Sequence, residues 1–376
     1  MSSSSGRRGN HRRPTTNLPA PHLAGRAYVL KIGIIPLTTD FLAGLGWSAH
    51  FERQLDDATP DSPARLAEVA RDHVIALTET GPLPLVTPDQ TGNYAVGDWV
   101  LHDGLRVTER LDRLTELRRK AAGPQAEHQL IAANVDTLGI VTSCNADFNV
   151  ARLERYLALA AQAGCLPLII LTKADLTDDA RDFERKAERL SPLVSAISLN
   201  AKDESEAARL AAWCGDGQTL ALVGSSGVGK TTLQNHLTGL SEVTQDIRED
   251  DAKGRHTTTA RAMRPTLHGG WLIDTPGVRE LALADASDGI DAVFAEITEL
   301  ATQCRFNDCA HDTEPGCAIT AAIQSGDLDA DRLIRWQKLQ REDQYNSETI
   351  AEARARYRRL NKLHRAGKAR SEEKRR

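Results

Sequence analysis

Short apolar runs alternate along the middle of the chain with longer segments whose apolar residues recur at helical spacing. Four runs predict buried strands, at 135–141, 166–171, 194–199 and 219–223. Three intervening segments carry charged residues on one face and Leu or Ala on the other, which predicts helices at 152–163, 178–190 and 204–213. This alternation predicts an α/β domain with a mostly parallel sheet and helices on both faces.

A glycine-rich segment follows the fourth apolar run. Gly224-Ser-Ser-Gly-Val-Gly-Lys-Thr231 matches G-x-x-x-x-G-K-[ST], the phosphate-binding loop of P-loop NTPases, and the residues at 232–238 can open a helix after it. Glycines let backbone N–H groups surround phosphate oxygens, and a helix N-terminus favours negative charge. We expect Lys230 to reach the outer phosphates and the Thr231 hydroxyl to bind Mg²⁺.

Two further motifs follow apolar runs. Asp274-Thr-Pro-Gly277 has the D-x-x-G form, in which the Asp holds Mg²⁺ through water and the Gly N–H contacts the γ-phosphate. Thr172-Lys-Ala-Asp175 is similar to the N-K-x-D motif that selects guanine. Asp175 would accept hydrogen bonds from guanine N1–H and the exocyclic amine, a donor pattern that adenine lacks. Because Thr stands at 172 in place of Asn, only one bond can brace the P-loop; we expect selectivity to survive and affinity to be modest.

The order of these motifs is unusual. In an ordinary GTPase the base-selecting motif follows the P-loop, whereas here it precedes the P-loop by about fifty residues. A sheet core tolerates such a reordering when the original termini lie close together. Asn200-Ala-Lys202 occupies the place of the second base-contacting loop, with Ser198 as the alternative. The segment from about 134 to 277 therefore predicts a complete GTPase domain with permuted motif order.

A cluster of metal-ligand residues follows the last of these motifs. Cys304, Cys309, His311 and Cys317 offer three thiolates and one imidazole within fourteen residues, which predicts a closed, structural zinc site. A disulfide pair is the alternative, and it is disfavoured in a reducing compartment. The remaining cysteines, Cys144, Cys165 and Cys214, are scattered and predicted to be inert.

Charge is concentrated at the two ends of the chain. Residues 1–26 hold five Arg and no acid, and residues 350–376 hold eleven Lys or Arg against three Glu. With a formal total of −5, this leaves −18 for residues 27–349, so any RNA contact through charge is expected at the basic ends. A basic terminal helix that is only a solvated surface is the alternative. Aromatic residues are 4% of the chain, so few bases could stack on them.

The overall composition is that of a soluble protein of two or three domains. The chain has 376 residues, 40% of them hydrophobic, and no apolar run approaches the ~20 residues that cross a membrane. Its start is polar and lacks the apolar region of a secretory signal. We therefore expect a cytoplasmic protein whose first 25 or so residues are disordered.

The motifs and their permuted order resemble the RsgA (YjeQ) family, the ribosome small subunit-dependent GTPases. The matching segments are Gly97-Asp-Trp-Val100, Arg119-Lys-Ala-Ala-Gly123, Ile131-Ala-Ala-Asn-Val-Asp136, Asp147-Phe-Asn149, the Thr172 motif, the P-loop, Gly254-Arg-His-Thr-Thr-Thr259, Asp274-Thr-Pro-Gly-Val-Arg-Glu280 and the cysteine cluster. The resemblance implies an N-terminal OB-fold β-barrel, a circularly permuted GTPase domain and a C-terminal helical zinc-binding domain. It also implies a role in late maturation of the small ribosomal subunit. The first sixty residues match poorly.

The resemblance suggests domain boundaries and partners. The expected order is a disordered basic segment, a region with the OB-fold barrel, the permuted GTPase domain, the zinc-binding domain and a basic helix or tail, at 1–26, 27–118, 119–285, 286–349 and 350–376. The expected partners are the small ribosomal subunit, its rRNA, and GTP or GDP with Mg²⁺. The protein is expected to be monomeric, and the subunit is expected to stimulate hydrolysis.

Catalysis requires a residue that orients the attacking water. Small GTPases use a Gln just after D-x-x-G, but Val278 stands there. The nearest candidate is His256 in the expected switch I segment, and the resemblance points to the same residue. Its alternative is an exposed switch residue without a chemical role. Thr258, or its neighbour Thr257, would close over Mg²⁺ and the γ-phosphate.

The predicted nucleotide site combines these motifs. Its GTP-binding residues are Thr172, Lys173, Asp175, Asn200, Ala201, Gly224, Ser225, Ser226, Gly227, Val228, Gly229, Lys230, Thr231, Thr232 and Gly277. Its Mg²⁺ ligands are Thr231, Thr258 and Asp274. Two other classes of function compete with a ribosomal GTPase. One is an ATPase, a kinase or a GTPase with a non-ribosomal partner, although Asp175 argues against adenine recognition. The other is a zinc-dependent nucleic-acid-binding module with a vestigial P-loop, although the intact P-loop argues against it.

Overall fold

The structure, a computed structural model, describes residues 41–55, 61–120, 128–240, 262–274, 283 and 285–347. Two short helices, α1 (Phe41–Gly44) and α2 (Ala49–Glu52), come first. Phe51 of α2 packs against Trp99 at a ring-centroid distance of 5.6 Å and is itself buried. These helices therefore belong to the apolar core beside the first strands.

Five strands form a barrel. They are β1 (Ser62–Val69), β2 (Val74–Thr78), β3 (Gly81–Leu85), β4 (Trp99–His102) and β5 (Val107–Arg110). Strand β1 pairs with β2 and β4, β2 pairs with β3, and β4 pairs with β5, all antiparallel. A parallel bridge between Val86 and Arg106 joins the end of β3 to the start of β5. This closure is that of an OB fold, so the predicted barrel is confirmed.

A mostly parallel sheet follows, joined to the barrel by one antiparallel pair, Glu68 with Ala262. A two-stranded antiparallel ribbon, β6 (Glu116–Lys120) and β7 (His128–Ala133), leads into it. The sheet strands are β8 (Thr137–Ser143), β9 (Leu166–Thr172), β10 (Ser195–Ser198), β11 (Thr219–Gly224), β12 (Ala262–Pro265) and β13 (Trp271–Asp274). Their order is β10-β9-β8-β11-β13-β12, with all neighbours parallel except β12 and β13. The strand that leads into the P-loop, β11, therefore lies in the sheet interior, and all six of its residues are buried.

Helices connect the parallel strands as the sequence pattern predicts. They are α3 (Val150–Ala163), α4 (Ala180–Glu188), α5 (Glu204–Ala207) and α6 (Lys230–Thr238). Asn149 caps α3 by accepting from the Arg152 N–H at 3.0 Å, and Gly164, at φ 76°, ends it. The helix predicted at 204–213 is α-helical only in its first turn and continues as a 3₁₀ helix, Ala208–Trp213. The chain turns back closely there, since an added Cβ on Gly215 would lie 2.8 Å from the Ala211 carbonyl oxygen, and tighter winding is common at such ends.

Four helices form the described part of the C-terminal region. They are α7 (Ser287–Val293), α8 (Ala295–Thr302), α9 (Ala318–Ser325) and α10 (Ala330–Ser347). Helix α7 packs on α3 so closely that a Cβ on Gly289 would collide with the Ala158 carbonyl. Helix α10 contributes Arg332 and Arg335, which pair with the fully buried Glu154 of α3 at 2.9 and 2.8 Å. Among the described residues, no helix is long and apolar enough to span a membrane.

Candidate nucleotide and metal sites

The P-loop has the backbone geometry that its glycines predict. Gly224, Gly227 and Gly229 have φ values of 140°, 74° and 96°, which residues with a side chain rarely adopt. A Cβ on Gly224 would also collide with the carbonyl of Val141 in β8, so a glycine is required there. The loop leads directly into α6, whose N-terminus adds a favourable field for an anion.

Lys230 lies over this loop. Its Nζ donates to the carbonyl oxygen of Gly224 at 2.7 Å and also to that of Ser225. The ammonium group is therefore held at the mouth of the loop, where a phosphate could exchange for a carbonyl. The next residues, Thr231 and Thr232, lie in the first turn of α6 and are half-buried.

Thr172 connects the base-selecting motif to the P-loop. Its Oγ1 lies 2.6 Å from the carbonyl oxygen of Val228 and 3.0 Å from that of Thr142, and the residue is fully buried. A hydroxyl carries one proton, so its donation to Val228 is the single brace that the sequence allows. Lys173 adopts φ 59° and begins the 3₁₀ turn that holds Asp175. Asp175 is exposed at the carboxyl end of β9, where a ligand can reach its carboxylate.

The predicted base-contacting segments meet at Gly229. A Cβ on this residue would lie 3.4 Å from the Ala201 Cβ and 3.7 Å from the Thr172 Cγ2. Segments that are far apart in sequence thus share one edge of the sheet, as expected for the carboxyl ends of parallel strands. The Asn200 side chain accepts from the Lys202 N–H at 2.9 Å, whereas the Ser198 hydroxyl is bonded to Glu184 of α4 at 2.7 Å.

The remaining switch residues are only partly described. Asp274 ends β13, one position after the Ile273–Ala221 pair with the P-loop strand, so its backbone lies near the same sheet edge. The Asp274 side chain and the residues His256, Thr258 and Gly277 lie outside the described residues. Their roles, like those of the nucleotide-contacting residues, stay predictions.

The Cys₃His set is brought together as the sequence predicts. The ligand atoms of Cys304, Cys309, His311 and Cys317 all lie within 4.8 Å of one another. The Cys304 and Cys317 sulfurs are 3.9 Å apart, and each is 3.6 Å from His311 Nδ1. Zn–S bonds of about 2.3 Å and Zn–N bonds of about 2.0 Å imply S···S and S···N separations of about 3.8 and about 3.5 Å in a tetrahedron. This donor set and spacing fit a tetrahedral metal ion.

The described cysteines differ in their surroundings. Burial raises the pKa of Cys144 to about 11 and those of Cys165 and Cys214 to about 12, so these thiols stay protonated, in line with their predicted inertness. Cys317 caps α9 and accepts from the Thr320 N–H at 3.4 Å. Burial raises the pKa of Cys317, but the hydrogen bonds from Thr320 and His311 outweigh it and lower the pKa to about 6. Within the cluster, desolvation and the neighbouring thiols raise the pKa of Cys309 to about 11, so the lowered pKa belongs to Cys317 and not to the cluster as a whole.

Three carboxylates near these sites were not predicted from the sequence. Glu314 accepts from the N–H groups of Ala310, Asp312 and Thr313 at 3.0 to 3.1 Å and so shapes the loop between the last metal ligands. Glu184 and Glu206 hold the segment that includes Asn200. Glu314 is close to its partners in sequence and could have been suspected as a local turn former. The other two resemble ordinary solvated helix residues.

The fold and the two sites together define the class of protein. It is a P-loop GTPase fold with circularly permuted motif order, preceded by an OB barrel and followed by helices around a Cys₃His cluster. Similar solved structures agree: YjeQ from Thermotoga maritima (TM-score 0.56, 23% identity, 74% of this chain and 97% of that one) and YloQ, a circularly permuted GTPase (TM-score 0.53, 21% identity, 78% and 99%).

Sequence comparisons give the family. A family model described as RsgA GTPase matches residues 110–284. The small ribosomal subunit biogenesis GTPase RsgA of Mesorhizobium japonicum is 54% identical over 316 residues, which span 81% of this chain and 91% of the relative. The RsgA 2 protein of Vibrio parahaemolyticus is 47% identical, with 87% and 92% covered. The chain belongs to the RsgA GTPase family.

Proposed function

We propose that this protein hydrolyses GTP and acts in the biogenesis of the small ribosomal subunit. GTP binding is supported mainly by the way the P-loop, Thr172 and Ala201 meet around Gly229. The relatives' names, small ribosomal subunit biogenesis GTPase, support the ribosomal half.

Each element of the nucleotide site has a proposed part. Lys230 and the P-loop amides bind the phosphates, Asp175 reads guanine, and a backbone N–H near Ala201 contacts the base oxygen. Thr231, Thr258 and Asp274 hold Mg²⁺, which would neutralise charge that develops on the phosphates. Gly277 contacts the γ-phosphate through its N–H.

His256 is proposed to orient the attacking water. Small GTPases carry a Gln just after D-x-x-G, but Val278 stands there and cannot bond to water, so His256 in the expected switch I segment is the nearest candidate. The His256→Ala protein should bind GTP nearly normally while turnover falls by roughly 100-fold or more. Unchanged turnover in this variant would assign the water to another group, such as one from the ribosome.

The Cys₃His cluster is proposed to hold one zinc ion. Four protein ligands leave no open position, so the metal would serve structure rather than catalysis. Cys317 would supply one of these ligands, and its sulfur also accepts from the Thr320 N–H at 3.4 Å, which fixes it at the start of α9.

The ribosomal partner is proposed to be contacted through rRNA. The basic ends, +5 over residues 1–26 and +8 over 350–376, would neutralise phosphates, while the acidic body would not. We propose that the protein acts as a monomer in the cytoplasm. Its GTP-bound state should bind the small subunit more tightly than its GDP-bound state, because the D-x-x-G motif directly precedes the C-terminal helices.

The test is GTP turnover with and without purified small ribosomal subunits. We expect stimulation by small subunits and none by large subunits, together with tighter pelleting of the protein in a non-hydrolysable GTP analogue than in GDP. Binding should weaken steeply with salt, and removal of residues 350–376 should flatten that slope. Equal affinity in both nucleotide states without stimulation would reject the ribosomal role and leave a GTPase with another target.

A further inference from the structure

Glu184 of α4 bonds to the end of β10, the outermost strand of the sheet. Its Oε1 accepts from both the N–H and the hydroxyl of Ser198, each at 2.7 Å. The residue is only 9% exposed, although Glu is among the residues that are rarely buried without a partner. Its second oxygen pairs with Arg181, whose side chain is 87% exposed and so adds little. The buried bonds to Ser198 are therefore what this carboxylate contributes.

Glu206 of α5 also holds this segment. Its Oε2 accepts from the Asn200 N–H at 2.8 Å. The helix that carries it, α5, is itself capped by Asp203, which accepts from the Ser205 N–H at 2.8 Å. The Ser198 carbonyl accepts from Arg209 at 3.1 Å, just beyond α5.

These bonds replace a missing strand partner. Strand β10 ends at Ser198 on the outer edge of the sheet, so the N–H groups of Ser198 and Asn200 have no neighbouring strand on that side among the described residues. Backbone groups at such a place must find another partner or remain exposed to water. Leu199, between them, instead bonds to Leu171 of β9 at 2.9 Å. Alternate residues are thus fastened to the base-selecting strand and to the two carboxylates.

We infer that Glu184 and Glu206 are positioning residues for guanine recognition, which set the backbone of residues 198–202 before the nucleotide binds. The inference rests on the proposed base contact of this loop. A loop that is already in place loses less entropy on binding, so its N–H can favour the guanine oxygen over the adenine amine. Without both carboxylates, the loop becomes ordered only when the nucleotide binds, and the entropy lost in that ordering reduces the affinity gained from the base contact.

The experiment compares alanine and glutamine substitutions. Glutamine keeps an acceptor oxygen at the same place, whereas alanine leaves the Ser198 or Asn200 N–H without its side-chain partner. Affinities for fluorescent derivatives of GDP, IDP and ADP are measured on the full-length, metal-loaded chain. Thermal melting checks that each variant is folded.

We expect Glu184→Ala with Glu206→Ala to weaken GDP and IDP in parallel by about tenfold, because both bases carry the same oxygen. Affinity for ADP should not change, so the ratio of GDP affinity to ADP affinity should fall. The double variant Glu184→Gln with Glu206→Gln should restore that ratio. Wild-type GDP affinity in the double alanine variant, an equal loss for ADP, or failure of the glutamine pair to restore the preference would overturn the inference.

Failure of the underlying proposal has a different signature. If the wild-type protein binds ADP as tightly as GDP, the base site itself is misassigned. If the wild-type protein prefers GDP and Asp175→Asn abolishes that preference, the base site stands and only the role of the two glutamates is under test.

Discussion

The nucleotide loops and the Cys₃His cluster are built in opposite ways. The nucleotide loops extend from strands that are buried in a sheet. Side chains such as Thr172 and Glu184 already form hydrogen bonds to backbone groups of these loops. The segment from Cys304 to Cys317 contains no helix or strand, and Cys317 is its only buried residue. The nucleotide site is therefore shaped by the fold, whereas the cysteine site has to be shaped by its ligand.

The two regions are nevertheless connected through buried ion pairs. Glu154 of α3, a helix that packs on the GTPase sheet, pairs with Arg332 and Arg335 of α10, and Arg332 also donates to the carbonyl of Val293 at 2.8 Å. At the other end of α10, Asp343 accepts from the Ala286 N–H at 2.8 Å. The helices therefore dock on the GTPase domain through contacts that do not include the cysteine loop.

Metal removal gives the largest expected effect. Cys309→Ser, or a chelator, should abolish zinc binding and unfold the segment around Cys304 to Cys317. The expected loss in the free energy of unfolding is several kcal/mol, because structural zinc sites bind their ion with about 10 kcal/mol. GDP binding should persist, because the sheet does not depend on the ion. Metal analysis, thermal melting and a GDP titration measure this.

Thiol labelling adds a control. Cys144, Cys165 and Cys214 are buried with raised pKa values and should react slowly in all forms, while Cys304, Cys309 and Cys317 should become reactive after chelation. Cys144→Ala should keep its zinc. A zinc-free protein with unchanged melting and unreactive cluster thiols would show that the loop is shaped by the fold after all.

Base recognition gives the next effect in size. Asp175→Asn should weaken GTP by at least about 100-fold and create binding of xanthosine triphosphate, because the new amide donates to the xanthine oxygen. Asp178→Asn, a nearby exposed carboxylate, is the matched control and should change neither affinity. Retained GTP affinity in Asp175→Asn would remove this residue from the base site.

The connection between the regions should respond to Glu154→Gln. This change leaves two arginines with a neutral partner in a buried place and should lower the free energy of unfolding by about 2 kcal/mol. Glu296→Gln affects a more exposed partner of the same Arg332 and should cost less than about 1 kcal/mol. Chemical denaturation measures both, and equal costs would mean that burial of Glu154 is energetically unimportant.

The P-loop brace gives the smallest effect. Thr172→Val keeps the shape but removes the hydroxyl that bonds to Val228, which should weaken GDP binding by about five- to tenfold. Thr172→Ser retains the hydroxyl and should stay within about twofold of wild type. Unchanged affinity in Thr172→Val would indicate that backbone packing alone holds the loop.

The sequence alone was sufficient wherever the determinant is local. The glycines of the P-loop predicted its left-handed backbone, because only glycine adopts it without strain. The spacing of Cys304, Cys309, His311 and Cys317 predicted a cluster, because ligands so close along the chain can converge without help from the rest of the fold. Alternating apolar runs predicted the parallel sheet, although the end of α5 wound more tightly than its pattern indicated.

Only the tertiary structure decided which distant groups meet. No local pattern tells that Glu184 bonds to Ser198, that Glu206 bonds to Asn200, or that Glu154 lies between two arginines of α10. In sequence these are charged helix residues, which are usually solvated. Their partners are chosen by the packing of helices on the sheet, because a hydrogen bond depends on positions in space and the sequence specifies those positions only through the whole fold.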